Sequence, residues 1–88
     1  MIDMQAIRDD EIKKLSVALQ SYRDAAARHR AIAAFWHDSN LPHAEANRDA
    51  ALKLADEADN KASDIEAFIR SIESWSKQEQ TRAKHRIE

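Results

Sequence analysis

The sequence contains no cysteine and no glycine, and its single proline is Pro42. Without cysteine there are no disulfides and no thiolate metal sites, which leaves the redox compartment open. Without glycine, tight turns at positive φ, the favoured β-hairpin turns and phosphate-cradling loops are hard to build, so P-loop and dinucleotide-binding motifs are excluded. No apolar run approaches the roughly 20 residues needed to cross a bilayer, and no signal-peptide pattern precedes the first charges. A cytoplasmic protein with no membrane partner is the expectation. Aromatic residues are scarce, at 6%, and the formal charge of -2 is too small to declare a nucleic-acid or membrane partner.

Charged residues make up 34% of the chain, a proportion that suits either a long solvated helix or a disordered segment, so periodicity decides. From Ala51 to Trp75 apolar residues recur three or four apart: Ala51, Leu54, Ala58, Ala62, Ile65, Phe68, Ile72 and Trp75. An earlier stripe of the same kind runs Ile12, Leu15, Leu19, Tyr22, Ala26, His29, Ala33 and Trp36. Each buries one side of a helix against another helix. Acid-first pairs four apart, such as Asp10 with Lys14, Asp24 with Arg28 and Glu66 with Arg70, recur along both segments and support helix independently of the apolar pattern.

The expected fold is all-α: an antiparallel two-helix hairpin in a single domain, 1–88. Its first helix spans about 3–38 with Asp3 as N-cap, the turn covers 39–42, and the second helix spans about 42–86. Ser39 or Asn40 would cap the second helix, with Pro42 in its first turn, where the amides lack intrahelical partners. Ser63 and Glu66 spell a capping box that could mark a kink near 59–63, but the heptad phase runs through it and favours one continuous helix. Folding back at 39–42 brings together positions whose numbers sum to about 80, so that Tyr22 meets Ala58, Leu19 meets Ala62, Leu15 meets Ile65 and Ile12 meets Phe68.

At 88 residues a single core yields only about 3–5 kcal/mol, so help from a partner is expected. Apolar residues also lie beside the stripes, at Ala18, Ala25, Ile32, Phe35, Ala55 and Ile69. A face three residues in seven wide belongs to a bundle rather than a lone pair, which points to a homodimer forming a four-helix bundle. The expected core and dimer residues are Leu15, Leu19, Tyr22, Ile32, Leu54, Ile65, Phe68, Ile72 and Trp75. Phe35 and Ile69, off the tightest seam, are the expected hot spot for a partner.

Chemistry is thin. His37 and His43 flank the turn beside Asp38 and Glu45, yet dipole complementation and turn formation account for them better than a metal site, which needs three or four converging ligands. No Glu-x-x-His of a di-iron bundle occurs, and the acids near residue 60 lack the glycine and alternating ligands of a calcium loop. No nucleophile motif is present. No cofactor, metal or catalytic residue is therefore expected, and the chain is read as no enzyme. The acidic cluster Asp56, Glu57, Asp59, Asp64 and Glu66 could dock on a basic surface of another protein. The basic end, with Lys77, Arg82, Lys84, His85 and Arg86, could instead contact nucleic acid, or fray as a helix terminus. The preferred expectation is a homodimeric, stoichiometric binder or inhibitor of another protein, of the kind phages make against host machinery. A small chaperone or assembly subunit, or a nucleic-acid-binding protein, are the alternatives.

Overall fold

In a computed structural model, the chain is described over the backbone of residues 3–87 and the side chains of residues 3–75. It is an all-α hairpin of two helices, α1 (Met4–His37) and α2 (Ala44–Ile87), with no strand among the described residues. Neither helix contains glycine or proline, so nothing inside them interrupts the backbone ladder. α1 begins where the sequence places its cap: the Asp3 carboxylate accepts from the amides of Gln5 at 3.0 Å and Ala6 at 3.3 Å. Such a cap contributes about 1 kcal/mol by satisfying amides that the first turn leaves orphaned. α2 runs through 59–63 without a break, so the capping-box signal at Ser63 is overridden by the continuous seam.

The connection differs from expectation in how it is closed. Ser39 does not cap α2. Its hydroxyl accepts from the Leu41 amide at 3.1 Å, while its own amide donates to the Trp36 carbonyl at 3.2 Å. Pro42 stands before α2 rather than in its first turn, in a tight turn closed by the Ala44 amide on the Leu41 carbonyl at 3.3 Å. Proline presets the second position of such a turn, and in one common form of it the third takes positive φ. With no glycine to use, the chain puts His43 there at φ 63°, a conformation that costs a side-chain-bearing residue about 1–2 kcal/mol. The His43 carbonyl accepts the first helical bond of α2, from the Asn47 amide at 2.9 Å.

The α1 stripe packs as its spacing requires, since Ile12, Leu15, Leu19, Tyr22, Ala26, His29, Ala33 and Trp36 are all buried or half-buried. The α2 stripe is corrected. Its buried and half-buried positions are Ala51, Ala55, Ala58, Ala62, Ile65, Ile69 and Ile72, whereas Leu54, Phe68 and Trp75 are 47%, 53% and 53% exposed. The reason lies in a seven-residue track. Leu54 and Phe68 are separated by Lys61, which would place an ammonium in the seam. The alternative track, Ala55, Ala62 and Ile69, is apolar throughout, and its alanines let the helices approach closely.

The register is also corrected. Tyr22 lies under Lys61 and Arg8 under Trp75, pairs whose numbers sum to 83, not 80. Tyr22 is thereby carried toward Ala62, and Ala26 comes opposite Ala58. The shift follows from the turn, whose nonhelical residues extend to His43 and move the fold-back point along the chain. The hairpin measures 71 × 21 × 13 Å, one helix thick. Among the described residues the buried set consists of six alanines, Ala26, Ala33, Ala51, Ala55, Ala58 and Ala62, together with Arg8. A single layer has one seam and two open faces, and among the described residues no large apolar side chain is fully covered.

Candidate protein interaction surface

With the seam assigned to heptad positions a and d, the flanking positions e and g lie on opposite faces of the hairpin. In an antiparallel pair e flanks e and g flanks g across the seam, so each open face has its own composition. On the e face stand Arg23 and Arg30 of α1 with Asp59 and Glu66 of α2. Arg23 donates to Glu66 at 2.6 Å, Arg30 pairs with Asp59, and Glu66 also takes Arg70 from its own helix. These ion pairs cross-link the helices. Being one-third to one-half exposed, each contributes roughly 0.2–1 kcal/mol after screening.

The g face is mainly apolar. Met4, Glu11, Ala18, Ala25 and Ile32 of α1 flank Leu54, Lys61, Phe68 and Trp75 of α2, with Ile7 and Phe35 on the adjoining c positions. Ten large hydrophobics are exposed among the described residues. Seven of them, Met4, Ile7, Ile32, Phe35, Leu54, Phe68 and Trp75, fall on this one face, and the remaining three, Val17, Leu41 and Leu52, are scattered. Scattered exposure is ordinary, whereas these seven gather on one side, interrupted by Glu11 and Lys61. Two cations are drawn into it by aromatic rings: the Arg8 guanidinium lies 4.5 Å from the Trp75 ring, and the Lys61 ammonium 5.6 Å from the Tyr22 ring.

The sequence-predicted site residues are divided between these surfaces. Phe35 is 62% exposed, edge-on to Trp36 with ring centroids 5.2 Å apart. Ile69 is half-buried in the seam and offers no exposed hot spot, because it occupies the track rejected in favour of Leu54 and Phe68. The five acids do not form one patch. Asp59 and Glu66 turn toward the arginines of α1, while Asp56, Glu57 and Asp64 are exposed elsewhere on the helix. Of the residues expected in core or dimer contacts, Leu15, Leu19, Tyr22, Ile65 and Ile72 are half-buried in the seam. Ile32, Leu54, Phe68 and Trp75 lie on the exposed g face. The side chains of the basic end from Lys77 onward lie outside the described residues. Arg8 was missed by the sequence reading, although its place seven residues before Leu15 and four before Ile12 was a signal that it lies on the stripe.

Among the described residues no three His, Asp or Glu side chains come together as a metal site would need, and no helix is long and apolar enough to cross a membrane. A shallow groove of about 390 Å³ beside the turn is lined by Arg30, Ala33, Ala34, His37, Asp38, Arg48 and Leu52. Its arginines are engaged, Arg30 by Asp59 and Arg48 by Asp49 at 3.1 Å. Lys14, hydrogen-bonded to Asp10 at 3.0 Å, has its pKa raised by that bond and by the carboxylate's charge. The attraction is therefore complete below the usual lysine range and fades only as pH climbs through the raised value. The molecule is an all-α helical hairpin with one ionic and one apolar face. Comparison with protein-family models, curated proteins and solved structures finds no match.

Proposed function

We propose that this chain is a non-enzymatic protein–protein interaction module, working as a homodimer that binds another protein stoichiometrically and blocks or scaffolds it in the cytoplasm. The observation that carries the reading is the one-sided apolar stripe of Leu54, Phe68 and Trp75 beside Ile7, Ile32 and Phe35 on a hairpin with no large buried apolar side chain among the described residues. Such a molecule acts through surface, since a single layer of two helices encloses no cleft in which a substrate could be desolvated. The exposed acids Asp56, Glu57 and Asp64 add charge that can steer a basic partner onto the outer side of α2.

The test is affinity purification of the tagged chain from its native host, followed by reconstitution of the recovered pair from purified components. A protein that co-elutes at fixed stoichiometry, and is lost on exchanging Phe35 and Phe68 for Asp, is the expected result. If the wild-type chain retains no protein at stoichiometric yield, the reading falls. Nucleic-acid binding, the competing class, would appear as a gel shift that weakens steeply with salt.

A further inference from the structure

Resting on that reading, we infer that the g face is occupied by a second copy of this chain in one particular arrangement: two hairpins stacked face to face with their turns at the same end, α1 of each lying on α2 of the other.

Area and charge together select this occupant. From Ile7 to Phe35 the stripe is about 40 Å long at 1.5 Å per residue, and the hairpin is 21 Å wide. That is roughly 800 Å² per copy, the size of a standard interface for each partner. The face is also self-complementary. At the c positions bordering it, α1 carries Lys14 and Arg28, while α2 carries Glu57 and Asp64, and all four are exposed.

Two-fold stacking of flat hairpins allows two choices. With the axis across the helices, turns lie at opposite ends and α1 covers its own copy. Lys14 and Arg28 would then meet the same cations, and Glu57 and Asp64 the same anions, which is repulsive. With the axis along the helices, α1 covers α2 of the copy. The hairpin's own register sets Glu57 level with residue 26, within about 3 Å along the axis of Arg28. Asp64 falls level with residue 19, beside Ser21 and about 7 Å along the axis from Lys14, so Glu57 with Arg28 is the close charge pair. Apolar side chains meet apolar ones in the same arrangement. Phe68 of one copy comes down beside Ala18 of the other, Leu54 beside Ile32, and Trp75 beside Ile7. The bundle gains the second layer that the hairpin lacks.

The absence of cysteine makes the test clean. A nitroxide is attached at Asn40→Cys in the exposed turn, with Ala46→Cys as a second site should the first perturb the turn, and the distance between the two labels is measured in the full chain. Turns at one end put the labels within roughly 30 Å, the width of a four-helix bundle plus the label arms. Turns at opposite ends put them about 50 Å apart, the length of α1. A dimer with the long distance overturns the arrangement and leaves the interaction-module reading standing. A monodisperse monomer at tens of micromolar, by sedimentation, overturns the second copy itself and leaves the face to a different protein. The charge exchange sharpens the result: Arg28→Glu should weaken the dimer about tenfold, and Arg28→Glu with Glu57→Arg should restore it. Failure of the double variant to recover overturns the arrangement.

Discussion

The two faces of this hairpin solve the same problem in opposite ways. On the e face, Arg23, Arg30, Asp59 and Glu66 cross the seam as ion pairs, so the flank is satisfied in water and needs nothing more. On the g face, Leu54, Phe68, Trp75 and Ile32 flank the same seam and stay about half exposed. A charged flank at this exposure adds little stability but holds the helices in register, whereas an apolar flank is a cost in water until something covers it. Function on a molecule this thin is therefore expected where the flank is uncovered.

The comparison can be broken most severely from the apolar side. Exchanging Phe68 and Trp75 together for Asp should abolish self-association, raising the dimer dissociation constant at least 100-fold in sedimentation equilibrium. Far-UV circular dichroism should still report helix. The seam between the faces is next. Ala58→Leu enlarges a buried position opposite Ala26 and should cost about 1–3 kcal/mol by overpacking, lowering the Tm by roughly 5–15 °C at about 4–8 °C per kcal/mol. An unchanged Tm would mean that the helices do not approach as closely as the alanines imply.

Disturbing the ionic face should matter less. Glu66→Ala removes the partner of both Arg23 and Arg70 and should cost no more than about 1 kcal/mol, with a loss that shrinks as salt is added. A loss as large as that of the g-face variant would erase the distinction between the two faces. The smallest effect belongs to the turn: His43→Gly relieves positive φ but makes the unfolded chain freer, so the net gain should be about 0.5 kcal/mol in chemical denaturation.

Much of this architecture was legible in the residues. Asp3 caps α1 because a carboxylate there reaches two free amides, and the α1 stripe packs because the neighbouring track through Ala18, Ala25 and Ile32 is broken by Glu11. On α2 two overlapping tracks compete over the same turns. The larger side chains of Leu54 and Phe68 drew the reading to the wrong one, although Lys61 between them was a usable signal against it. Ile69 and Ala55 were accordingly set beside the core stripe, when their place is in the seam. Arg8 went unnoticed because an arginine at a seam position is unexpected until the Trp75 ring above it is seen.

By itself the sequence determined that there would be two long helices joined by a short break, because uninterrupted three-four spacing and the lack of glycine and proline within the helices leave the backbone no better choice. Only the tertiary structure decided which side of α2 faces inward, how far the fold-back point moves, and which acids find arginines. Those outcomes depend on how closely two helices can approach and on which charges then lie across from one another, and neither quantity exists until both helices are placed.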